Sequence, residues 1–515
     1  MVLVAVTMAA MATDYTDKLR VMLNDSTVSA STNTATLDVK DAAKGTYTLR
    51  IKNVTYKMMG QTIGIGTIVV DNLKGELMPD GATRLSAKTV KVEKGDDPNV
   101  QYWMGAMSFL PIVGSTDGRL DDDNFYCVTS FNLIVTSIKL VFGDGGFQIA
   151  NSDFEAFHET SNILKKVVEP NRWHSLATAQ GLMAGATLLA AQSSFQSDDT
   201  RPGSKGSHSA VIVSSDVIGL GANGVLTTGR VKAASAFATN TSNHQYIDLT
   251  DEDKDDNGDP FYTKLNACPD SIAFWVRFKQ GPLSSKNQKY NTAMMHAIVT
   301  DGTLYQDPEN AKQTYTNVVA KAIDNDIESN DTWTRICLPF DYASFADNQA
   351  KARALLVTFS TNAQPGVASN DGAQRDSLWV DDLELIYQAD VMGISVKGTP
   401  VDGFSADKTD YSLSAAGELT PDDIAVDTQG QGALVTKTLT KTFSGMKATI
   451  EVMSADYQTT HTYTLNIKGA TPTGIDSPQS AGHTDNNIYT LDGLKVKTPQ
   501  KGTVYVQGGK KIIKR

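Results

Sequence analysis

The chain is poor in the residues and segments on which several protein classes depend. Its three cysteines, Cys127, Cys268 and Cys337, are too few among 515 residues for a disulfide scaffold or a metal cluster. Cys268 and Cys337 fall in one predicted domain and could pair, but we expect three buried thiols, since free cysteine packs as a small hydrophobe. No run of 18 apolar residues follows the N-terminus, so we predict no transmembrane segment.

Motifs of nucleophilic, zinc and phosphate chemistry are also missing. The sequence has no Gly-x-Ser-x-Gly elbow, no His-Glu-x-x-His and no phosphate loop, and His158-Glu159 lacks a second histidine. A glycosidase needs two carboxylates at a set separation, and the 58 acidic residues single out no pair. We therefore predict no catalytic residue, and a glycoside hydrolase or lyase remains the alternative to a binding protein.

Positive charge is in deficit. There are 46 lysines and arginines against 58 acidic residues, a formal net charge of −12 with a pI near 5.1. This balance argues against a nucleic-acid partner and against electrostatic binding to a membrane. It suits a soluble protein that binds neutral ligands or cations.

What the chain does contain is typical of β-structure. Gly, Thr, Ser, Val and Asp recur, and long segments with a 3.6-residue apolar period are scarce, so we predict an all-β chain of three or four domains. Residues 1–12 are an apolar run that ends in Ala10-Met11-Ala12, which predicts a signal peptide and a secreted, periplasmic or cell-surface location.

Residues 13–147 are predicted to form an up-and-down β-barrel. Tyr47, Leu49 and Ile51 alternate with polar residues, and a shift of this phase near Ser137 within Tyr126–Phe142 predicts a bulge or bend. The segment resembles the calycin-like domain of secreted Bacteroides and Prevotella proteins, in motifs from Tyr15-Thr16-Asp17 to Val141-Phe142-Gly143. That resemblance implies a lipocalin-related barrel, either enclosing a small apolar ligand or filled by its own side chains.

Residues 148–388 are predicted to form a β-jelly roll that closes with the strand Trp379–Tyr387. Asp381 and Asp382 are unusual at the start of a strand, and Asp153 and Glu155 stand at the opening of the domain. Because the first and last strands of a jelly roll lie close together, these four carboxylates could share a structural Ca²⁺; the alternative is a hydrogen-bonded clasp.

The same region resembles the carbohydrate metabolism domain of Bacteroidales secreted proteins. The motifs that carry the resemblance are Pro170-Asn171-Arg172-Trp173, Cys268-Pro269-Asp270-Ser271-Ile272 and Val380 to Tyr387. It implies sugar binding. Tryptophan rings stack on sugars, so we predict a ligand site at Trp173 with Arg172 and His174, and Arg277 as a polar partner; the alternative is that the tryptophans are core residues.

An acidic loop interrupts this domain. Asp253-x-Asp255-x-Asn257-Gly258-Asp259 matches the first half of an EF-hand calcium loop, but position twelve is Lys264 and no helices flank it. We therefore interpret it as a solvated acidic loop.

The C-terminal part contains a further β domain and a tail. Residues 389–469 resemble the cadherin-like or immunoglobulin-like sandwiches of bacterial surface proteins, which act as spacers. Residues 470–487 are predicted to be a linker. Residues 488–515 resemble the sorting domains of type IX secretion substrates, which implies secretion or surface-attachment machinery as a partner; a docked terminal hairpin is the alternative. The prediction for the whole chain is a secreted, non-catalytic glycan-binding protein, and a lipid-binding or structural role for the barrel is a further alternative.

Overall fold

A computed structural model gives the fold of most of the chain. It describes residues 12–104, 112–121, 124–133, 135–161, 166–184, 192–217, 220–282, 292–365 and 375–472, and, in the tail, 488–489, 495–496, 500–501, 504–507 and 510–513. Residues 1–11 of the predicted signal peptide and most of the predicted linker lie outside this set. The prediction of an all-β chain is confirmed.

The N-terminal sheet closes into an antiparallel barrel of eight strands, β1–β5 and β7–β9, with β6 added in parallel beside β4. Closure is made by β3 with β4 and by β1 with β9, where Leu19 lies opposite Phe142. Inward-facing side chains such as Leu19, Leu49 and Phe142 form one buried cluster inside the barrel. The strands are β1 Thr13–Leu23, β2 Ser26–Asp41, β3 Thr46–Met58, β4 Gln61–Leu77, β5 Thr83–Glu93, β6 Tyr102–Trp103, β7 Ile112–Leu120, β8 Phe125–Leu133 and β9 Thr136–Phe142.

The predicted single strand over Tyr126–Phe142 is wrong. The chain reverses between β8 and β9, which pair antiparallel with Leu133 opposite Thr136. The shift in apolar phase near Ser137 therefore marks a tight hairpin, because each arm has its own set of inward-facing residues.

The central region is a β-sandwich of a five-stranded and a four-stranded sheet. The first has the order β12-β13-β25-β19-β23 and the second β16-β24-β20-β22. Phe274 and Phe278 of β19 face Met295 and Phe359 of the other sheet within one buried core. The strands are β10 Phe157–Ser161, β11 Lys166–Pro170, β12 Ser194–Ser197, β13 Ser209–Val213, β14 Ser215–Val217, β15 Leu220–Ala222, β16 Val225–Thr227, β17 Arg230–Lys232, β18 His244–Ile247, β19 Ser271–Lys279, β20 Thr292–Thr300, β21 Tyr305–Asp307, β22 Val318–Glu328, β23 Thr334–Pro339, β24 Ala354–Ser360 and β25 Ser377–Ile386.

A small sheet of β17, β18 and β21 covers one end of the outer face of the four-stranded sheet. Ile247 and Tyr305 of the small sheet pack there on Ile298 and Leu356 of the large one. The small sheet does not cover the other end of that outer face, where a space remains beside the four-stranded sheet. This arrangement creates the cavity described below.

The closing strand lies where the sequence predicts it, and Asp382 is bulged. Ala273 pairs with Glu384 whereas Trp275 pairs with Asp381, and Asp382 has a φ of 44°. The backbone N–H of Leu383 donates to the carbonyl of Ser152 at 3.0 Å. The opening and closing segments of the domain are thus in direct contact, as predicted.

The C-terminal β region is a second sandwich, with sheets β27-β26-β29 and β28-β32-β31-β30 around a core that includes Tyr411, Ile450 and Leu465. A four-stranded sheet of β33–β36 follows. The strands are β26 Val391–Val396, β27 Thr399–Pro400, β28 Asp410–Leu419, β29 Ile424–Thr428, β30 Leu434–Thr442, β31 Gly445–Met453, β32 Thr460–Pro472, β33 Ile488–Tyr489, β34 Lys495–Val496, β35 Val504–Gln507 and β36 Lys510–Ile513. Short 3-10 helices span Ala42–Lys44, Leu176–Thr178, Ala343–Asn348 and Pro421–Asp423. The immunoglobulin-like and sorting assignments stay predictions.

Four aromatic side chains join the barrel and the two sandwiches. The ring of Phe147 lies 4.9 Å from that of Tyr126, 6.0 Å from Tyr387 and 5.7 Å from Tyr457, measured between centroids. The hydroxyl of Tyr126 donates to the carbonyl of Asp456 at 2.7 Å. The core therefore continues across all three regions.

The cysteine prediction is corrected in part. Cys127 is buried, but Cys268 is half-buried and Cys337 is exposed, and none of the three forms a disulfide. Cys337 lies on the edge strand β23, one face of which is open to solvent. Among the described residues, no helix has the length and apolar character needed to cross a membrane.

Candidate ligand cavity

An open cavity of about 480 Å³ lies on the outer face of the four-stranded sheet. Alternation along β20 produces it, because Ala293, Met295 and Ala297 point into the sandwich core while Met294 and His296 point outward. The loop between β17 and β18 and the end of β24 complete the wall. The lining residues include Leu176, Met183, Asn223, Val225, Val231, Ala233, Ser235, Ala236, Ala238, Asn240, Asn243, His244, Gln245, Met294, His296, Asp307, Ser360, Asn362 and Pro365.

A histidine and a carboxylate form a close pair in this wall. Nδ1 of His296 lies 2.7 Å from Oδ2 of Asp307, and Nε2 lies 2.9 Å from the side-chain oxygen of Asn325. Burial lowers the pKa of His296, but the hydrogen bond and the charge of Asp307 outweigh it, so this pKa is raised. Both ring nitrogens face oxygen atoms, and the imidazolium form donates to both.

Two amide oxygens in the wall have no hydrogen-bond partner. The Asn223 amide nitrogen donates to the carbonyls of Asn362 and Gln364, at 3.0 and 3.1 Å, which leaves its Oδ1 free. Oδ1 of Asn362 is also buried and without a partner. Such buried atoms cost free energy when nothing donates to them.

The loop over the cavity is held by Asn243. Its side-chain oxygen accepts from the backbone N–H groups of Ala234 and Ser235, both at 2.9 Å, and its nitrogen donates to the carbonyls of Ser235 and Phe237. The Phe237 side chain is exposed between Ala236 and Ala238, which line the cavity. An aromatic ring therefore stands beside the opening.

The described part of the wall contains one carboxylate. Among its residues Asp307 is the one carboxylate, and it is engaged with His296. Hydrolysis of a glycosidic bond by the usual route needs a second carboxyl group about 5–9.5 Å away. The remaining polar groups are amides, hydroxyls, a lysine and imidazoles, which can fix a neutral ligand.

The structure contradicts the ligand site predicted at Trp173. Trp173 does follow β11 in a loop, but its side chain is 0% exposed and packs on Phe154 and Phe359, at ring distances of 5.1 and 6.3 Å. The backbone N–H of Trp173 donates to the carbonyl of Pro170, and this turn directs the ring into the sandwich. A buried ring cannot stack on a sugar.

The predicted companions of Trp173 are dispersed. His174 is also buried, and its backbone pairs with Thr227. The backbone N–H of Arg172 donates to Asp259 at 2.9 Å. Arg277 lies on the outer face of the five-stranded sheet, where its guanidinium is 4.1 Å from the ring centre of Trp379 and 2.5 Å from Asp199. The structure thus places Arg277 apart from Trp173.

The four carboxylates of the predicted calcium site each have protein partners. Asp153 pairs with Lys18 at 2.6 Å, and Glu155 accepts from the backbone N–H groups of Ser207 and His208. Asp381 accepts from the backbone of Arg201, whose guanidinium binds Asp382. Calcium binding stays a prediction, and these contacts describe a hydrogen-bonded clasp.

One member of the clasp carries an electrostatic cost. Asp381 is buried, and burial together with the neighbouring charge of Asp382 raises its pKa to about 7. Its Oδ1 has no hydrogen-bond partner. Near neutral pH the protonated and the ionised forms of this carboxyl group are therefore both populated.

Comparison with known proteins bears on the barrel most directly. Residues 11–126 match the calycin-like beta-barrel domain family. The eight-stranded closed barrel agrees with that match. Among curated proteins, none matches the chain.

Two solved structures of Bacteroides proteins are similar to part of the chain. Each is described as a "putative glycoside hydrolase", one from Bacteroides vulgatus and one from Bacteroides thetaiotaomicron. The first is 15% identical with a TM-score of 0.29, covering 45% of this chain and 96% of its own. The second is 15% identical with a TM-score of 0.32, covering 65% of this chain and 93% of its own.

The residues of the cavity were not predicted from the sequence. Asn223, His296, Asp307 and Asn362 belong to four separate segments with no shared motif. One signal existed. His296 is a polar residue at an outward position of an otherwise buried strand, in Thr292–Thr300, and such a position is open to solvent or covered by another layer.

Proposed function

We propose that the protein is a non-catalytic, secreted or cell-surface protein that binds a neutral glycan in the cavity on the central sandwich. The observation that carries the proposal is the wall itself: an open cavity lined by amide, hydroxyl and aliphatic side chains with a single described carboxylate. Its volume falls in the range of about 300–1,000 Å³ that is usual for small-molecule sites.

The chemistry of the wall favours a polyhydroxylated, uncharged ligand. Amide and hydroxyl groups exchange hydrogen bonds with sugar hydroxyls in both directions, and aliphatic residues such as Val231 and Met294 can cover the C–H faces of a sugar ring. The net charge of −12 disfavours a polyanion. A glycan can hydrogen-bond to the amide and hydroxyl groups of the wall without adding charge to the site.

Binding of neutral oligosaccharides to the whole protein, by glycan array followed by isothermal titration calorimetry, tests the proposal. Ala238→Trp places a bulky ring at the exposed rim of the cavity and is expected to abolish binding. The matched control is Ala425→Trp, at an exposed position of β29 in the other sandwich, which should bind normally.

A reducing-sugar assay on the glycans that bind separates binding from hydrolysis. Intact glycan after prolonged incubation supports the proposal. Release of product that is lost in Asp307→Asn would instead establish a hydrolase. No glycan bound at millimolar concentration would refute both, and a ligand of the barrel would then be the remaining explanation of function.

A further inference from the structure

A second cluster of polar residues lies outside the cavity, beneath the acidic loop Asp253–Asp259. The loop is folded against the hairpin of β10 and β11 and the segment that follows it. The Thr160 hydroxyl donates to Asp256 at 3.1 Å, and the backbone N–H of Arg172 donates to Asp259. Most residues of the loop, 252–254 and 256–258, are exposed, whereas the side chain of Asp255 is buried against the protein.

Three buried atoms meet in this cluster without a hydrogen-bond partner. Nε2 of His158 lies 3.4 Å and Nε2 of His174 lies 3.5 Å from Oδ2 of Asp255. All three atoms are unsatisfied. Burying polar atoms in this way costs free energy unless a further species bonds to them.

The two distances are too long for hydrogen bonds and agree with metal coordination. In the hydrogen-bonded His296–Asp307 pair of the same domain, Nδ1 lies 2.7 Å from Oδ2. Donor atoms about 2.1 Å from a tetrahedral zinc ion lie about 3.4 Å from one another. The two distances from Oδ2 of Asp255 match the length of such an edge.

Neighbouring hydrogen bonds leave one ligand atom free on Asp255 and one on His158. Oδ1 of Asp255 accepts the backbone N–H groups of Asn257 and Asp259, at 2.9 and 2.8 Å, so Oδ2 alone is available. Nδ1 of His158 faces the side-chain oxygen of Asn171 at 3.1 Å. When Nδ1 donates this bond, Nε2 carries the lone pair, which is the state of a metal-binding histidine.

We propose that His158, His174 and Asp255 bind a divalent transition-metal ion of the zinc type, with Asp259 as the fourth ligand. The ligand atoms of His158, Asp255 and Asp259 lie within 4.8 Å of one another. His174 lies outside that group and approaches Oδ2 of Asp255 alone, at 3.5 Å, so its ring must shift towards the ion to become a ligand. Two imidazoles and two carboxylates favour zinc over calcium, which prefers six to eight oxygen ligands.

The metal ion would fasten three segments that are distant in sequence. His158 belongs to β10, His174 follows β11 and pairs with Thr227 of β16, and Asp255 and Asp259 hold the acidic loop. Its role is structural, because protein groups supply all four ligands and none of these ligands lines the cavity.

The test is zinc binding to the purified full-length protein without a histidine tag. After treatment with EDTA and removal of the chelator, the protein is titrated with ZnCl₂ by calorimetry and its metal content is measured by native mass spectrometry. One equivalent of zinc per chain and a higher melting temperature are expected. Cobalt(II) should give the visible absorption of a tetrahedral site. These side chains would not produce that absorption if they bound no metal ion.

Variants locate the ion. Asp255→Asn keeps the shape of the side chain and should lose stoichiometric zinc, and Asn171→Ala should weaken zinc affinity roughly 10- to 100-fold by releasing His158. The control is Asp253→Asn in the same loop. The carboxylate of Asp253 binds Arg230, so this change should leave the zinc affinity unaltered. Circular dichroism verifies that each variant is folded.

Three outcomes would overturn the proposal: failure of the wild-type protein to take up one equivalent, unchanged zinc binding by Asp255→Asn, or binding of CaCl₂ in place of ZnCl₂. None of these readouts depends on a glycan. Failure of the zinc site would therefore leave the proposed carbohydrate function standing, and the reverse also holds.

Discussion

Two groups of buried carboxylates in the central sandwich differ in what satisfies them. At the clasp, Arg201 and backbone amides bind Asp381 and Asp382. At the acidic loop, Asp255 faces two imidazole nitrogens at distances beyond hydrogen bonding. The sequence suggested a metal at the first and solvent at the second, whereas the geometry favours a metal at the second. The difference between the two groups is the cation: Arg201 binds Asp382 at the clasp, where Oδ1 of Asp381 alone lacks a partner, whereas the groups that face Oδ2 of Asp255 are two imidazoles.

Removal of zinc should have the largest effect and tests the comparison directly. A ligand present at about 1,000 times its Kd stabilises the folded state by about 4 kcal/mol, so EDTA should lower the melting temperature clearly. Asp255→Asn should abolish this response and Asp381→Asn should preserve it, as scanned by differential calorimetry. If Asp381→Asn abolished it instead, the ion would lie at the clasp.

Arg201→Met should destabilise the protein by about 2–3 kcal/mol at pH 8. The change leaves Asp381 and Asp382 without their cation, and both Arg201 and Asp382 are largely buried. Urea unfolding gives the value, with Arg335→Met on the exposed face of β23 as the control. A calcium ion at the clasp would reduce the loss, because the ion would neutralise the same charges.

Asp381→Asn should stabilise the protein by roughly 1–2 kcal/mol at pH 8 if the site is a clasp. The folded-state pKa of about 7 lies above the ordinary value of 3.8, so the folded protein holds this proton more tightly than the unfolded chain. Wild-type stability therefore rises as the pH falls from above 7 towards 4, and the advantage of the variant should vanish there. Loss of stability at pH 8 would show that the charge of Asp381 is needed, as it would be for calcium.

The His296–Asp307 pair is a reference in which a histidine and a carboxylate bond directly without a metal. His296→Gln removes the imidazole of this pair. The raised pKa of His296 means that its bond to Asp307 contributes fully below about pH 6.5 and is lost as the pH rises through the folded-state pKa. The variant should lose about 1 kcal/mol at pH 5.5 and less at pH 9. Its response to zinc should equal that of the wild type; a changed response would mean that the two histidine groups are coupled.

The extended segments were predictable because their information is local. Alternation in Tyr47–Ile51 and in Val380–Tyr387 specifies strands with one buried face, and both are strands. The contact of Leu383 with Ser152 followed from the topology of a jelly roll. The shift near Ser137 was also visible, but a bulge and a hairpin give the same pattern over a few residues, and only pairing separates them.

The exposure of single side chains was not predictable in the same way. Trp173 follows β11 and Trp379 lies in β25, yet Trp173 is buried in the core and Trp379 lies half-exposed beneath Arg277. Period-two alternation states which residues share a face of a sheet. It does not state what covers that face.

The sequence by itself determined the all-β class, the positions of several strands and the meeting of residues 151–155 with the closing strand, because backbone periodicity and chain connectivity decide these features. The tertiary structure decided the two candidate sites. The cavity draws on Asn223, His296, Asp307 and Asn362, and the proposed metal site on His158, His174 and Asp255. These residues come together only when separate sheets pack, and the free energy of that packing depends on contacts that no local pattern encodes.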